Sequence, residues 1–233
     1  MTLQLLDLFA RCGALEFHLR SANIERVRPL EGGGGHPDKM TLVLQGGVGV
    51  AAKAGGTPEQ LKRAKREVAA WLLACELGID RFVPATVLRK MPASFDVTTM
   101  VCGSVQVLWP RFMTALDAGV EAFDCPEHVS WRVAVLDTLA ANTDRNPGNW
   151  GVIDELPHVA LIDHGHAFEE AASNSEFAAR HKDEPLPDDL LKEVQHFVSE
   201  RAESRLALFL DPPELEGVFT RAARIAVEGK LSV

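Results

Sequence analysis

Three oxygen-bearing side chains stand out by spacing: Asp144, Asn149 five residues on, and Asp163 fourteen beyond that. They lie in Asn142-Thr143-Asp144-Arg145-Asn146-Pro147-Gly148-Asn149-Trp150 and in Leu161-Ile162-Asp163-His164-Gly165. Phosphoryl transfer asks little covalent chemistry of a protein. It needs a group to orient the attacking hydroxyl, hard oxygen ligands for magnesium, and cations against the phosphates. An Asp, an Asn and a second Asp after a hairpin-length gap can meet the first two needs. The competing reading is that these polar residues only build turns, which Asp, Asn, Pro and Gly all favour.

The elements around them must hold such a set in place. VSWRVAVLDTLAAN (129–142) predicts a strongly apolar helix leading into the polar loop. HVALID (158–163) predicts a short buried strand ending at Asp163. Upstream, residues 3–15 read as an amphipathic helix and 16–53 as strands, with a hairpin turn at Gly46-Gly47. Thr57 is a natural N-cap, Pro58 fits the first helical position, and Gly78 is a stop. Further strands are expected at 83–89, 97–101 and 104–109, and two or three helices beyond 186.

TDRNPGNW and LIDHGHAF together resemble the catalytic core shared by phosphatidylinositol 3-/4-kinase-like and HipA-like kinases. There a D-R-x-x-x-N loop precedes an I-D-x-G metal motif. The resemblance implies an ATP- and Mg²⁺-dependent kinase with an α+β, two-lobed protein-kinase-like fold. A β-rich N-lobe would span 1–108 and a mostly helical C-lobe 109–233. Asp144 would be the catalytic acid/base or hydroxyl-orienting group, and Asn149 with Asp163 the Mg²⁺ ligands. Arg145 would stabilise the loop or Asp144 locally, with no catalytic role.

A kinase also needs a strand lysine on the phosphates and a helix glutamate to hold it. Lys53 closes the apolar run VGVAAK, and Glu67 follows in the next helix beside Ala64, Val68 and Trp71. Taken alone, Lys53 could equally snorkel into solvent, and Glu67 could pair with the neighbouring Lys and Arg residues. Gly32, Gly33, Gly34 and Gly35 lie between two strand-like runs and are the expected phosphate cover, with Gly46-Gly47 the second choice. Leu108 and Trp109 fall at the lobe junction, where adenine would be held. A hydroxyl acceptor, with a protein Ser/Thr foremost, completes the reaction. An aminoglycoside-type small-molecule kinase and a nucleotide-binding pseudokinase acting as a partner-binding module are the alternatives.

Charge narrows the partners. The chain has 24 basic and 33 acidic side chains, a formal charge of -9. That balance argues against a broad grip on nucleic acid or an anionic membrane. Residues 1–90 carry 13 basic and 9 acidic side chains, and 91–233 carry 11 and 24. Glu169, Glu170 and Glu176 follow the metal motif, where an anionic inositol headgroup would call for basic residues. The four cysteines are scattered without metal spacing, and no apolar run is long enough to span a bilayer. A cytoplasmic location is expected.

Overall fold

The computed structural model describes residues 12–30, 38–95, 98–156, 158–170 and 172–231. The run Gly32–Gly35 lies outside them. The chain divides into two compact units, Met1–Val68 with Pro84–Leu108 and Ala69–Val83 with Trp109–Val233. The first is β-rich and the second mostly helical, the α+β architecture of a protein-kinase-like fold.

In the first unit, helix α1 (Cys12–Ser21) precedes strands β1 (Ile24–Pro29), β2 (Lys39–Leu44) and β3 (Val48–Ala54). Helix α2 (Pro58–Glu76) follows and runs past Val68, where the unit's first segment ends; β4 (Thr86–Pro92) and β5 (Met100–Val107) return to it. The strands form one antiparallel sheet in the order β1-β2-β3-β5-β4. Period-two alternation sends Met40, Leu42 and Leu44 of β2, and Val50, Ala52 and Ala54 of β3, into the core. Lys53 necessarily falls on the opposite face from those β3 residues.

Two expectations change here. Residues 16–20 are helical rather than extended, because Leu15 and Leu19 share a helical face and Leu19 is fully buried. Arg89 fixes that helix to β4 by donating to the main-chain oxygens of Leu19 and Ala22 at 2.8 and 2.9 Å. The predicted strands at 97–101 and 104–109 are one strand, β5, paired without a break from Met100 to Gln106 along β4. Gly103 lets the ladder continue. A Cβ there would stand 2.5 Å from Lys53 O and 2.6 Å from Met91 Sδ.

Helix α2 starts on a capping box. Gln60 N donates to Thr57 Oγ1 and Thr57 N to Gln60 Oε1. It stops, as expected, at left-handed Gly78, with the Ile79 N–H bonded back to Ala74 O.

The second unit holds a small sheet of β6 (Phe112–Thr114), β7 (Trp150–Ile153) and β8 (Val159–Leu161), all antiparallel. Short helix α3 (Ala115–Ala118) follows β6, and helix α4 (Glu127–Leu139) is buried at nearly every position from Val129 onward. Helices α5 (Glu176–Arg180), α6 (Asp188–Ser199) and α7 (Pro212–Glu228) complete it. Phe197 and Phe219 stack with ring centroids 4.9 Å apart, joining α6 to α7. Arg221 of α7 donates to Leu139 O through Nε and Nη2, satisfying a carbonyl at the end of α4. Buried Cys125 has its thiol pushed up to about 11 by desolvation, which suits a core residue. Among the described residues, no helix is long and apolar enough to cross a membrane.

Gly151 sits where β7 meets β6. A Cβ there would stand 1.9 Å from Met113 O and 2.8 Å from Thr114 Cα, so main chain would have to move. Gly151→Ala is expected to lose about 1–3 kcal/mol of stability, the usual range for overpacking. Thermal melting of the variant against the parent checks this.

Candidate active site

The second unit gathers Asp144, Asn149 and Asp163 at one end of the β7–β8 hairpin. Ile162 N donates to Asn149 O at 3.0 Å, continuing the pairing of Trp150 with Leu161 by one step. Asn149 and Asp163 therefore leave the same end of the same ladder. Asp163 adopts a left-handed backbone, φ 54°, which Asp tolerates better than most residues. That turn stops β8 just where the carboxylate is placed.

Asp144 is held by two side-chain amides. Asn149 Nδ2 donates to its Oδ2 at 2.9 Å and Asn146 Nδ2 to its Oδ1 at 2.7 Å. Asn146 Oδ1 in turn accepts from Gly148 N at 2.8 Å, closing the turn at Pro147. With the Asn149 nitrogen turned to Asp144, its Oδ1 is the amide's remaining polar atom. Asp144 and Asn149 are half-buried, and Asn146 is exposed.

Beneath the loop lies a fully buried ion pair that the sequence reading missed. Arg145 Nε and Nη2 donate to Asp137, both at 3.1 Å, and neither side chain has any exposure. Arg145 Nη1 donates to Asn149 O and, at 3.0 Å, to Ile162 O. Arg145 was expected to stabilise the loop or Asp144; its guanidinium holds the loop through Asn149 O and pairs with Asp137 rather than Asp144. The reason is direction: Asp144 faces outward with its amides, while Arg145 faces the end of α4. The signal was present, since an Asp inside the apolar run VSWRVAVLDTLAAN must find a partner if buried.

Helix α4 hands the chain to the loop through a Schellman closure. Asn142 N donates to Asp137 O and Ala141 N to Thr138 O, with Ala141 left-handed at φ 44°. Asn142 Nδ2 donates to Asp137 Oδ1 at 3.1 Å, and its Oδ1 accepts from Asp144 N at 3.0 Å. Thr143 Oγ1 donates to His166 O, Ser173 Oγ to Asn142 O, and Phe168 N to Ala140 O. The loop and the segment after Asp163 are thereby one hydrogen-bonded body.

In the first unit, Lys53 Nζ meets Glu67 Oε1 at 2.5 Å. Glu67 is 3% exposed at its side chain and Lys53 26%, so the carboxylate is buried while the ammonium reaches the surface. Leu108 is exposed and donates its N–H to Gly49 O at 3.2 Å. Trp109, half-buried, accepts at its carbonyl from Phe112 N. Gly46 and Gly47 form the β2–β3 turn, both with positive φ. Of the predicted set, the structure pairs Lys53 with Glu67 and bonds Asn149 to Asp144 near the turn at Asp163. It does not join Leu108 or Trp109 to either group, and Gly32–Gly35 lie outside the described residues.

The donor chemistry suits a hard divalent cation. One carboxylate and one amide oxygen is a sparse protein set, and magnesium is commonly bound by one or two carboxylates with phosphate oxygens and water supplying the rest. Among the described residues no group of three or more His, Cys, Asp or Glu side chains gathers around a common point.

A β-rich unit with a strand lysine on a helix glutamate, and a helical unit with an Asp/Asn loop beside a turn aspartate, define a protein-kinase-like phosphotransferase. The sequence pattern of phosphatidylinositol 3- and 4-kinase matches residues 82–211, over half of the chain, and the chain belongs to that family. The matched stretch contains Asp144, Asn149 and Asp163. Among solved structures the fold is similar to the Golgi casein kinase with Mn/ADP bound. That likeness has a TM-score of 0.60 at 14% identity over 93% of this chain and 75% of that one. It is also similar to hydra Fam20 with sugar, TM-score 0.62 at 12% identity, over 91% of this chain and 86% of that one. At these identities the likeness is one of fold. No curated protein matches the chain.

Asp137→Ala would leave the Arg145 guanidinium buried without its counter-charge. Breaking a buried pair from one side costs about 3–5 kcal/mol, a large part of an ordinary domain's stability of about 5–15 kcal/mol. Urea unfolding is expected to show that loss, and a loss below about 1 kcal/mol would contradict the geometry.

Proposed function

We propose that this protein is an ATP- and Mg²⁺-dependent kinase that phosphorylates a hydroxyl, with a protein Ser/Thr as acceptor. The observation that carries the reading is the Asp144 carboxylate, fixed by Asn146 and Asn149 beside the turn that presents Asp163. Asp144 would orient the acceptor hydroxyl and take its proton. The hydroxyl oxygen bonds to the γ-phosphorus as the bond to the β–γ bridging oxygen breaks, and ADP leaves. Asn149 Oδ1 and the Asp163 carboxylate would hold the magnesium ion, which when bound neutralises charge on the phosphates.

Lys53 would contact the α- and β-phosphates. Glu67, buried behind it, limits its rotamers and keeps the ammonium aimed. Gly32–Gly35 remain our proposal for the phosphate cover, and the main chain at Leu108 and Trp109 for adenine. The lobes would run 1–108 and 109–233, a compact core of the HipA-like type, working in the cytoplasm. The acidity around Glu169, Glu170 and Glu176 supports a protein acceptor over an anionic inositol lipid.

The test uses labelled ATP and Mg²⁺ with three acceptors: a protein lysate, a metabolite extract, and phosphatidylinositol vesicles. Label is expected in protein. Asp144→Ala and Asp163→Ala are each expected to lose transfer by about 10²–10⁴-fold. Asp144→Ala should keep its ATP-induced thermal shift. Transfer surviving both substitutions would remove the site assignment. Label confined to lipid or metabolites would replace the acceptor, and ATP binding without turnover would make the protein a pseudokinase.

A further inference from the structure

Resting on Asn149 and Asp163 as the metal-holding residues, we propose that Arg145 is the positioning residue that sets their separation. Its Nη1 donates to two main-chain oxygens, those of Asn149 and Ile162. The first belongs to one ligand residue, and the second immediately precedes the other. One nitrogen therefore ties the strand that begins at Trp150 to the strand that ends at Leu161, at the point where both leave the ladder. The Ile162 N to Asn149 O bond, 3.0 Å, closes the same corner.

The other edge of the guanidinium is anchored. Nε and Nη2 hold Asp137 in the last turn of α4, so the fork cannot slide. Four of the five N–H groups of arginine are engaged on three different segments. Asp137 also accepts from Asn142, whose side-chain oxygen receives Asp144 N–H. A single buried carboxylate thus registers the Asp144 main chain through Asn142 and the Asn149–Asp163 corner through Arg145. Lysine cannot replace this. Its three donors radiate from one atom and cannot span Asp137 and both carbonyls with planar geometry.

Arg145→Lys, and Arg145→Met combined with Asp137→Asn, test the assignment in the full chain. The double variant leaves no unpaired buried charge and keeps an acceptor for Asn142, so its folding should be spared. Three quantities are read: melting temperature, Mn²⁺ affinity from the free-ion electron paramagnetic resonance signal with a non-hydrolysable ATP analogue, and kcat against acceptor KM. Both variants are expected to bind Mn²⁺ about 10- to 100-fold more weakly, the usual effect of removing a residue that orients ligands. Acceptor KM should stay, and kcat should fall and recover in part at raised Mn²⁺. Parent-like Mn²⁺ affinity in either folded variant would overturn the proposal. So would recovery of affinity together with melting temperature in the double variant, or failure of both to fold, since Arg145 would then serve stability alone. A parent protein that binds no Mn²⁺ with nucleotide would instead overturn the kinase reading itself.

Discussion

The second unit depends on a charge placed where no water reaches. Removing an arginine and an aspartate from solvent costs several kcal/mol per ion after relaxation, and attraction repays this only in good geometry with the remaining donors satisfied. Arg145 and Asp137 meet both terms. The carboxylate takes three donors from two residues, and the guanidinium spends its other edge on main-chain oxygens. An apolar pair could fill the same volume at no loss of stability. It could not hold two carbonyls and a loop amide in fixed relation, so the pair contributes geometry more than free energy.

The first unit treats its ion pair differently. Strand alternation sends Ala52 and Ala54 into the core and forces Lys53 to the other face, while Glu67 arrives from a helix whose start is fixed by Thr57 and Gln60. The acid is buried and the base is not. A buried carboxylate needs a cation, so Glu67 captures the lysine, whose side chain stays 26% exposed. Arg145 has no exposure. One pair reaches the surface; the other is sealed from it.

The large division of the chain was legible because it follows from local patterning. Period-two runs in β2 and β3, the Thr57–Pro58 start and the Gly78 stop each act within a few residues. Asp144, Asn149 and Asp163 could be singled out because phosphoryl chemistry restricts residue type and spacing together, and Asn149 bonds to Asp144 at the end of the hairpin that Asp163 also leaves. What escaped depends on partners distant in sequence. Residues 16–20 alternate like a strand, but they form a helix whose end Arg89 of β4 holds at the carbonyls of Leu19 and Ala22. Residues 97–109 were expected as two strands and form one across Gly103, whose missing side chain permits the close pairing. Asp137 was hidden inside an apolar pattern, because a hydrophobic periodicity does not register the one polar position that organises the loop after it.

Charge returns with sharper boundaries once the units are known. The first unit carries 12 basic and 8 acidic side chains, a formal +4, and the second 12 and 25, a formal -13. The counting boundary at residue 90 gave the same two values, so the asymmetry belongs to the units rather than to the cut. Of those acids, Asp137 is neutralised internally by Arg145. Most of the excess is surface charge. A surface of that sign raises the local concentration of cationic groups and lowers that of anionic ones, over roughly a Debye length of about 8 Å at physiological salt. Anionic lipid headgroups would have to approach against that field. Under the proposed function, a hydroxyl carried on a neutral or basic polypeptide would not, and the charge of the whole unit would then bear on the choice of acceptor.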